Sequence, residues 1–356
     1  MKKRQVFAAF RTAHAWAGAL LSLQLALLGL SGALLVFKDD FVRAMEPAAR
    51  ESFTADPQAL AAIAVKAEEV FGPGDVRSIR FAEPGFALSY VRLHSGDAAY
   101  MDAHGEVVSR WQGHNRPEEW LLDLHEHLLA GRTGEVFVGI GGLCGLVLVF
   151  TGLVAIWPAR RAIGLNVVPK SAARPALLAS HRNLGLIAAA PLLLIFVTGA
   201  GMTFDPQARA VLAGLTGQPP AKLPTVNVGE GRIDWPAVMS EAHARYPDGH
   251  IRLAVWPRDG RAGASVRLKQ PAEWQPNGRT TLMIDPATSA IVGDLDGRAL
   301  PAGDKAFYSF YPLHAAKLGA GFPARLHDAV MTLTGLALFF LGLIGVYAFL
   351  RKRLKV

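Results

Sequence analysis

A single cysteine, Cys144, stands in 356 residues, so neither an intrachain disulfide nor a thiolate metal site can form. Cys144 lies inside an apolar run and reads as a small packing residue. No Walker P-loop occurs. GIGGLCG (139–145) lies within an apolar run instead of at a strand-to-helix turn, which excludes a dinucleotide loop. No nucleophile–base constellation is present, so a redox activity here would draw its electrons from a separate donor. Acidic residues are absent from 1–13, 158–182 and 351–356, which together hold thirteen Lys and Arg. The rest of the chain is net acidic. The +8 net charge therefore belongs to short basic segments and gives no reason to expect nucleic-acid binding.

Charge is also scarce along four apolar runs, at about 14–37, 136–157, 183–203 and 329–350. Each is long enough to cross a hydrocarbon core of roughly 30 Å. With 51% apolar residues, 19% charged residues and a mean hydropathy of +0.25, a few spans plus substantial polar modules are expected. Short basic segments stay in the cytoplasm. The expected order is a cytoplasmic tail (1–13), a span (14–37), an outer module ending in a histidine helix (38–133) and a span (134–157). A cytoplasmic loop (158–180), a span (181–203), a second outer module (204–326), a span (327–350) and a cytoplasmic tail (351–356) complete it. MKKR before an apolar run is also how a signal peptide begins. This run is about 24 residues, longer than a usual h-region, and no A-x-A site precedes Lys38, so an uncleaved span is expected.

Within 38–133, PQALAAIAVKAEEVF (57–71) reads as a helix stopped by Gly72-Pro73-Gly74. VRSIRFAE, FALSYVRL and AAYMDAHGEVVSRW read as strands, and PEEWLLDLHEHLLA (117–130) as an amphipathic helix. The second module repeats the plan with DWPAVMSEAHARY, IRLAVWP, ASVRLK and TTLMIDPATSAIVG. The chain thus repeats itself in parallel. His14 and Gly18 match His181 and Gly185, Ser31-Gly32 matches Thr198-Gly199, and Leu124-His125 before Gly131 and Gly134 matches Leu313-His314 before Gly319 and Gly321.

The repeat yields one histidine per half at each membrane level: His14 with His181 inside, His125 with His314 outside. Two imidazoles on facing helices are what a low-spin b-type haem requires. Gly18 and Gly185, four residues on, leave room for a flat macrocycle. Arg11, Arg182, Arg132 and Lys317 adjoin the four histidines as candidate propionate partners. His327, at the mouth of the last span, and His127 are reserve ligands. His127 lies about 200° from His125 around a helix, so the two cannot share one iron. His94, His104, His114, His243 and His250 read as surface residues. Trp111, Trp120, Tyr308 and Tyr311 are candidates for an outer docking surface or for interfacial anchors. The alternatives are a histidine-only zinc or copper site, for which the inner pair has no nearby acid or thiol, and interfacial histidines without a cofactor.

The windows H-x-W-x-G (14–18), LHEHLLAGRTG, FTGLVAIWP, HRNLG and YPLHAAKLG, with modules ending in YMDAHGEVV and MIDPATSAIV, resemble the PepSY-associated transmembrane family. That family includes inner-membrane siderophore-iron reductases of the ferrioxamine type. The resemblance covers nearly the whole chain. It implies an α+β membrane protein with four transmembrane helices, two periplasmic PepSY-like modules and two b haems held by His14, His181, His125 and His314. The implied activity is transfer of electrons across the bacterial inner membrane to a periplasmic ferric siderophore. The electron donor would be a separate molecule, on the cytoplasmic side or in the bilayer. Rival readings are a haem-free PepSY module that binds a periplasmic partner or peptidase, and a siderophore or metal permease. Few intramembrane charges are available for a transport path.

Overall fold

The computed structural model describes residues 3–223, 231–257 and 263–354, so the outermost two residues of each basic tail lie outside it. In chain order, α1 (Lys3–Leu35) is followed by α2 (Lys38–Met45), α3 (Pro57–Phe71), then β1 (Val76–Arg80), β2 (Ser89–Leu93), β3 (Ala98–Met101) and β4 (Val107–Trp111). Next come α4 (Pro117–His127), α5 (Gly131–Ile156), α6 (Arg174–Ile187), α7 (Ala189–Thr203) and α8 (Asp205–Thr216). A second helix-and-strand set comprises α9 (Trp235–Arg245), β5 (His250–Val255), β6 (Ala264–Lys269), β7 (Thr280–Ile284) and β8 (Ile291–Leu295). The chain ends with α10 (Ala302–Tyr308), α11 (Phe310–His314) and α12 (Phe322–Leu354). These elements form two units: a helical one from 1–37, 121–208 and 310–356, and an α+β one from 38–120 and 209–309.

In the helical unit, three helices are long and apolar enough to cross a membrane: Gln5–Leu35, Gly131–Ala162 and Phe322–Arg353. α6 and α7 make a fourth only as a bent pair, meeting at 66°. The span expected over 181–203 is thus bent, and Pro191 accounts for the bend. Its ring meets the carbonyl of Ile187 and it offers no N–H, so the helix breaks between Ile187 and Ala189. α6 also begins at Arg174, so His181 lies in mid-helix and the basic loop is shorter than expected. α1 and α12 touch at glycines. A Cβ on Gly29 would lie 2.6 Å from the Gly335 carbonyl, and one on Gly335 would lie 2.5 Å from that of Gly29. Small residues let backbones approach where lipid offers helices no hydrophobic drive to associate.

The α+β unit is one eight-stranded antiparallel sheet in the order β4-β3-β2-β1-β5-β6-β7-β8. The two strand groups expected as separate modules are joined at β1 and β5, through Ser78↔Val255, Ile79↔Ala254 and Arg80↔Leu253. AAYMDAHGEVVSRW and TTLMIDPATSAIVG each fold back as a hairpin, giving four strands per group. α3 and α9 lie on one sheet face and share its core with Ile79, Val91, Val266, Leu268 and Leu282. Both helices start alike. Asp56 accepts from the Ala59 N–H and Asp234 from the Ala237 N–H, each with proline at the helix start.

The buried carboxylate of Glu68 on α3 ties the groups together. Its Oε1 accepts from Trp235 Nε1 and Trp256 Nε1, both at 2.8 Å. Trp235 is fully buried and Glu68 is 4% exposed. Glu68→Ala strands two buried indole N–H groups, so it should destabilise this unit by about 2–5 kcal/mol. Tryptophan fluorescence during denaturant unfolding reads this directly. An unchanged midpoint would mean the indoles find other partners.

Candidate functional site

Within the helical unit, four histidines converge as two pairs. The rings of His14 on α1 and His181 on α6 have centroids 6.1 Å apart. Those of His125 at the end of α4 and His314 at the end of α11 are 6.2 Å apart.

Three of the four rings are held in the same way. His14 Nδ1 lies 3.1 Å from Thr151 Oγ1 and 3.1 Å from the Leu148 carbonyl on α5. His125 Nδ1 lies 2.9 Å from Ser31 Oγ on α1, and His314 Nδ1 lies 3.0 Å from Thr198 Oγ1 on α7. Each hydroxyl already donates its proton to a carbonyl four residues back, from Thr151 to Val147, from Ser31 to Leu27 and from Thr198 to Leu194. A hydroxyl has one proton, so it can only accept from the imidazole. Nδ1 therefore carries the ring proton and Nε2 keeps its lone pair. That is the tautomer of a metal ligand. His181 is the exception. Ile344 stands where the others meet a hydroxyl, and the buried Nδ1 has no hydrogen-bond partner, with the Leu341 carbonyl alongside but outside hydrogen-bond geometry.

A glycine follows each of these positions and seats the ring. A Cβ on Gly152 would come 3.1 Å from His14 Cε1, and one on Gly345 would come 3.2 Å from His181 Cε1. Gly32 against His125 and Gly199 against His314 would each give 2.9 Å. Local chain geometry completes the seat of His125. Leu128 and Leu129 adopt φ of 50° and 58°, which ends α4 just after His125 and reverses the chain into α5. Gly134 then closes on the His127 carbonyl, where no Cβ would fit.

Two imidazoles at this spacing suit one six-coordinate ion. Metal–imidazole bonds of about 2.0–2.1 Å, plus about 1.1 Å from nitrogen to ring centre, set the centroids about 6 Å apart. Among the described residues, no three His, Cys, Asp or Glu side chains gather as a metal cluster. Each pair could therefore supply two ligands, one from each side, to a group that brings its own remaining ligands. The His14–His181 pair opens on a cavity of about 830 Å³, lined also by Gly18, Gly185, Arg11 and Arg182. A Cβ on Gly18 would meet nothing nearer than 3.9 Å, so this glycine faces the cavity and not a helix contact.

The profile of the family described as PepSY-associated TM region matches residues 11–352. The chain belongs to this family. No individual curated protein matches it. As a member of the PepSY-associated TM region family it is a membrane protein, and all four paired histidines lie inside the matched region.

The other candidates fall in distinct places. His127 Nδ1 binds Asp123 Oδ1 at 2.9 Å on the same helix. His327 has both ring nitrogens buried without a hydrogen-bond partner, and among the described residues it makes no ring contact with either pair. Arg182 lines the cavity while donating to the Ala162 carbonyl. Arg132 is exposed and pairs with Glu135 at 2.8 Å. Lys317 sits in the turn after α11, its N–H donating to the Pro312 carbonyl. Trp111 is buried at 7% exposure in an aromatic cluster, so it is no docking surface, whereas Trp120 is 46% exposed. Thr151-Gly152 and Gly345 went unnoticed in the sequence. The recurring hydroxyl-Gly pairs in LSG (30–32), FTG (150–152) and VTG (197–199), with LIG (343–345) as the variant, were the available signal.

The seats differ in tightness, which can be measured. Gly32→Ala and Gly199→Ala should each cost about 1–3 kcal/mol through overpacking against the ring. Gly18→Ala should leave the thermal midpoint of the detergent-solubilised apoprotein unchanged. A drop at Gly18 as large as at Gly32 would mean the cavity is not open there.

Proposed function

We propose that this protein is an inner-membrane two-haem b-type reductase, carrying electrons across the bilayer to a ferric chelate such as a siderophore complex in the periplasm. The observation that carries the reading is the pair of histidine couples, with ring centroids 6.1 and 6.2 Å apart and, for three of the four rings, a tautomer that leaves Nε2 bare. His14 with His181 would hold one haem, and His125 with His314 the other. Haem held there would supply reversible one-electron chemistry. The chain's part is to position and tune. Nδ1–H donation to Thr151, Ser31 and Thr198 orients each ring and makes it a better donor. Arg11 and Arg182, on the cavity wall, offer charge to propionates.

His14 and the Ser31 that holds His125 are seventeen residues apart on α1, about 25 Å of helix. That span brings the pairs near opposite faces of a hydrocarbon core of about 30 Å. The basic segments at 158–182 and at both ends favour a cytoplasmic placement of the termini, which makes the His14–His181 pair the inner one. The reading also takes the chain as two parallel repeats. Its support is the order: α1 or α6–α7, then a helix with four strands, then the histidine-bearing α4 or α11, then α5 or α12. Reduction weakens a hard-oxygen chelator's hold, because Fe(II) carries less charge than Fe(III). A separate donor on the cytoplasmic side or in the bilayer supplies the electrons.

Absorption spectra of the purified protein, oxidised and dithionite-reduced, with haem assayed per chain, test the reading. About two haems per chain with sharp reduced bands are expected. The His14→Ala/His181→Ala variant should retain about one. A colourless protein that cannot be reconstituted with haem would remove the reductase and leave a haem-free PepSY module as the better account. The missing hydroxyl at Ile344 gives a finer test. Ile344→Thr should lower the inner haem's midpoint potential, and Thr198→Val should raise the outer one's, each by roughly tens of millivolts in a redox titration.

A further inference from the structure

The α+β unit contains a second built site, independent of the histidines. On the sheet face away from α3 and α9, Arg267 of β6 stands beside Thr281 of β7, which stands beside Leu295 of β8. Arg279, two residues before Thr281, shares that face by strand alternation. With Arg209 of α8 and Tyr308 of α10, these residues line a cavity of about 250 Å³.

The charge in this cavity does not balance. Arg209 is matched, its Nη1 lying 2.7 Å from Asp304 Oδ1. Asp304 is also taken up by the Ala221 N–H. Glu273, the other nearby carboxylate, accepts the backbone N–H groups of Gln270, Arg279 and Thr280. Among the described residues, neither Arg267 nor Arg279 forms an ion pair with a carboxylate, and the Nε of each is buried with no hydrogen-bond partner. The Arg279 guanidinium lies 3.7 Å from the centre of the Tyr308 ring, which fixes its plane, and Arg209 stacks on the same ring at 4.7 Å. Burial, and for Arg279 also the neighbouring Arg267, pushes both guanidinium pKa values down, that of Arg279 to about 10. Both stay charged at neutral pH. Leaving a buried charge unpaired is costly.

The first four strands provide an internal comparison. Their corresponding row, Arg92–Ala98–Trp111, runs into a sealed cluster with Val42, Phe86 and Leu88. The buried guanidinium there, Arg116, is met by Glu46 at 2.8 Å and by Glu118. One part of the face is filled and neutralised, whereas the other keeps a cavity and two cations unmatched among the described residues.

We propose that the Arg267–Arg279 cavity binds a phosphate-class dianion, as free phosphate or as the end of a phosphomonoester. Two guanidinium forks match the two charges and the tetrahedral oxygens of such a group, and the small volume admits little more than the head. A ligand that binds only the folded state raises the thermal midpoint.

The test uses the full-length protein in detergent, exchanged into phosphate-free buffer. Titrating inorganic phosphate or glycerol 3-phosphate at constant ionic strength, with chloride as control, should raise the midpoint for at least one of the two and not for chloride. Calorimetric titration should give saturable one-site binding. A response to phosphate identifies the free ion, and a response to glycerol 3-phosphate alone identifies the ester. Arg267→Met/Arg279→Met should lose the response by at least tenfold in affinity while remaining folded, since it removes the unmatched charges. Arg267→Lys/Arg279→Lys, which keeps charge but loses the forks, should bind several-fold more weakly. No saturable binding to the wild type, an equal effect of chloride, or an undiminished response in the Met variant would each overturn the proposal.

Discussion

The helical unit turns on one interaction, the buried hydrogen bond from a histidine Nδ1–H to a hydroxyl whose own proton is committed to its helix. It decides the tautomer, and the tautomer decides what the ring can do next. It also requires close approach, which explains why a glycine follows each seat. The tight turn from α4 into α5 has the same purpose, since it delivers His125 to Ser31 at the price of two leucines in the left-handed region. At His181 the hydroxyl is absent but the glycine remains, so the ring is seated without being pinned. The four positions are equivalent in shape and unequal in chemistry.

The α+β unit follows a different constraint. An eight-stranded sheet has two faces, and here α3 and α9 cover one of them. That cover is tied through a single carboxylate, Glu68, which serves a tryptophan from α9 and another from the end of β5. The opposite face is closed by aromatic packing over the first four strands and left polar over the last four. The same strand plan therefore carries a structural surface and a potential binding surface, distinguished by whether a carboxylate accompanies each buried arginine.

Much of this was legible before any coordinates. The apolar runs, the basic segments, the helices at PQALAAIAVKAEEVF and DWPAVMSEAHARY, and the strand alternation in VRSIR and SYVRL all act locally, within a turn or two of the residues that encode them. The four histidines were legible for another reason: similar sequence windows in the two halves of the chain single out His14, His181, His125 and His314 from eleven histidines. What escaped notice is relational. The break at Ile187 needs Pro191 to be read against a carbonyl four residues earlier inside an apolar run that looks continuous. Thr151 is an ordinary span residue until α1 brings His14 beside it. Trp111 was a candidate for an outer docking surface, and only the cluster around Tyr100 shows it covered.

By itself the sequence determined the membrane-spanning character, the α+β composition and the identity of the four histidines, because hydrophobic length, alternation and repetition are properties of neighbouring residues along the chain. Tertiary structure alone decided which ring nitrogen carries the proton, that both strand groups merge into one sheet through β1 and β5, and that Arg267 and Arg279 share a cavity with no ion-paired carboxylate among the described residues. Those outcomes depend on distances between segments far apart in the chain. No pattern along the chain records them, because hydrogen bonds and unpaired charges are settled only when the partners meet.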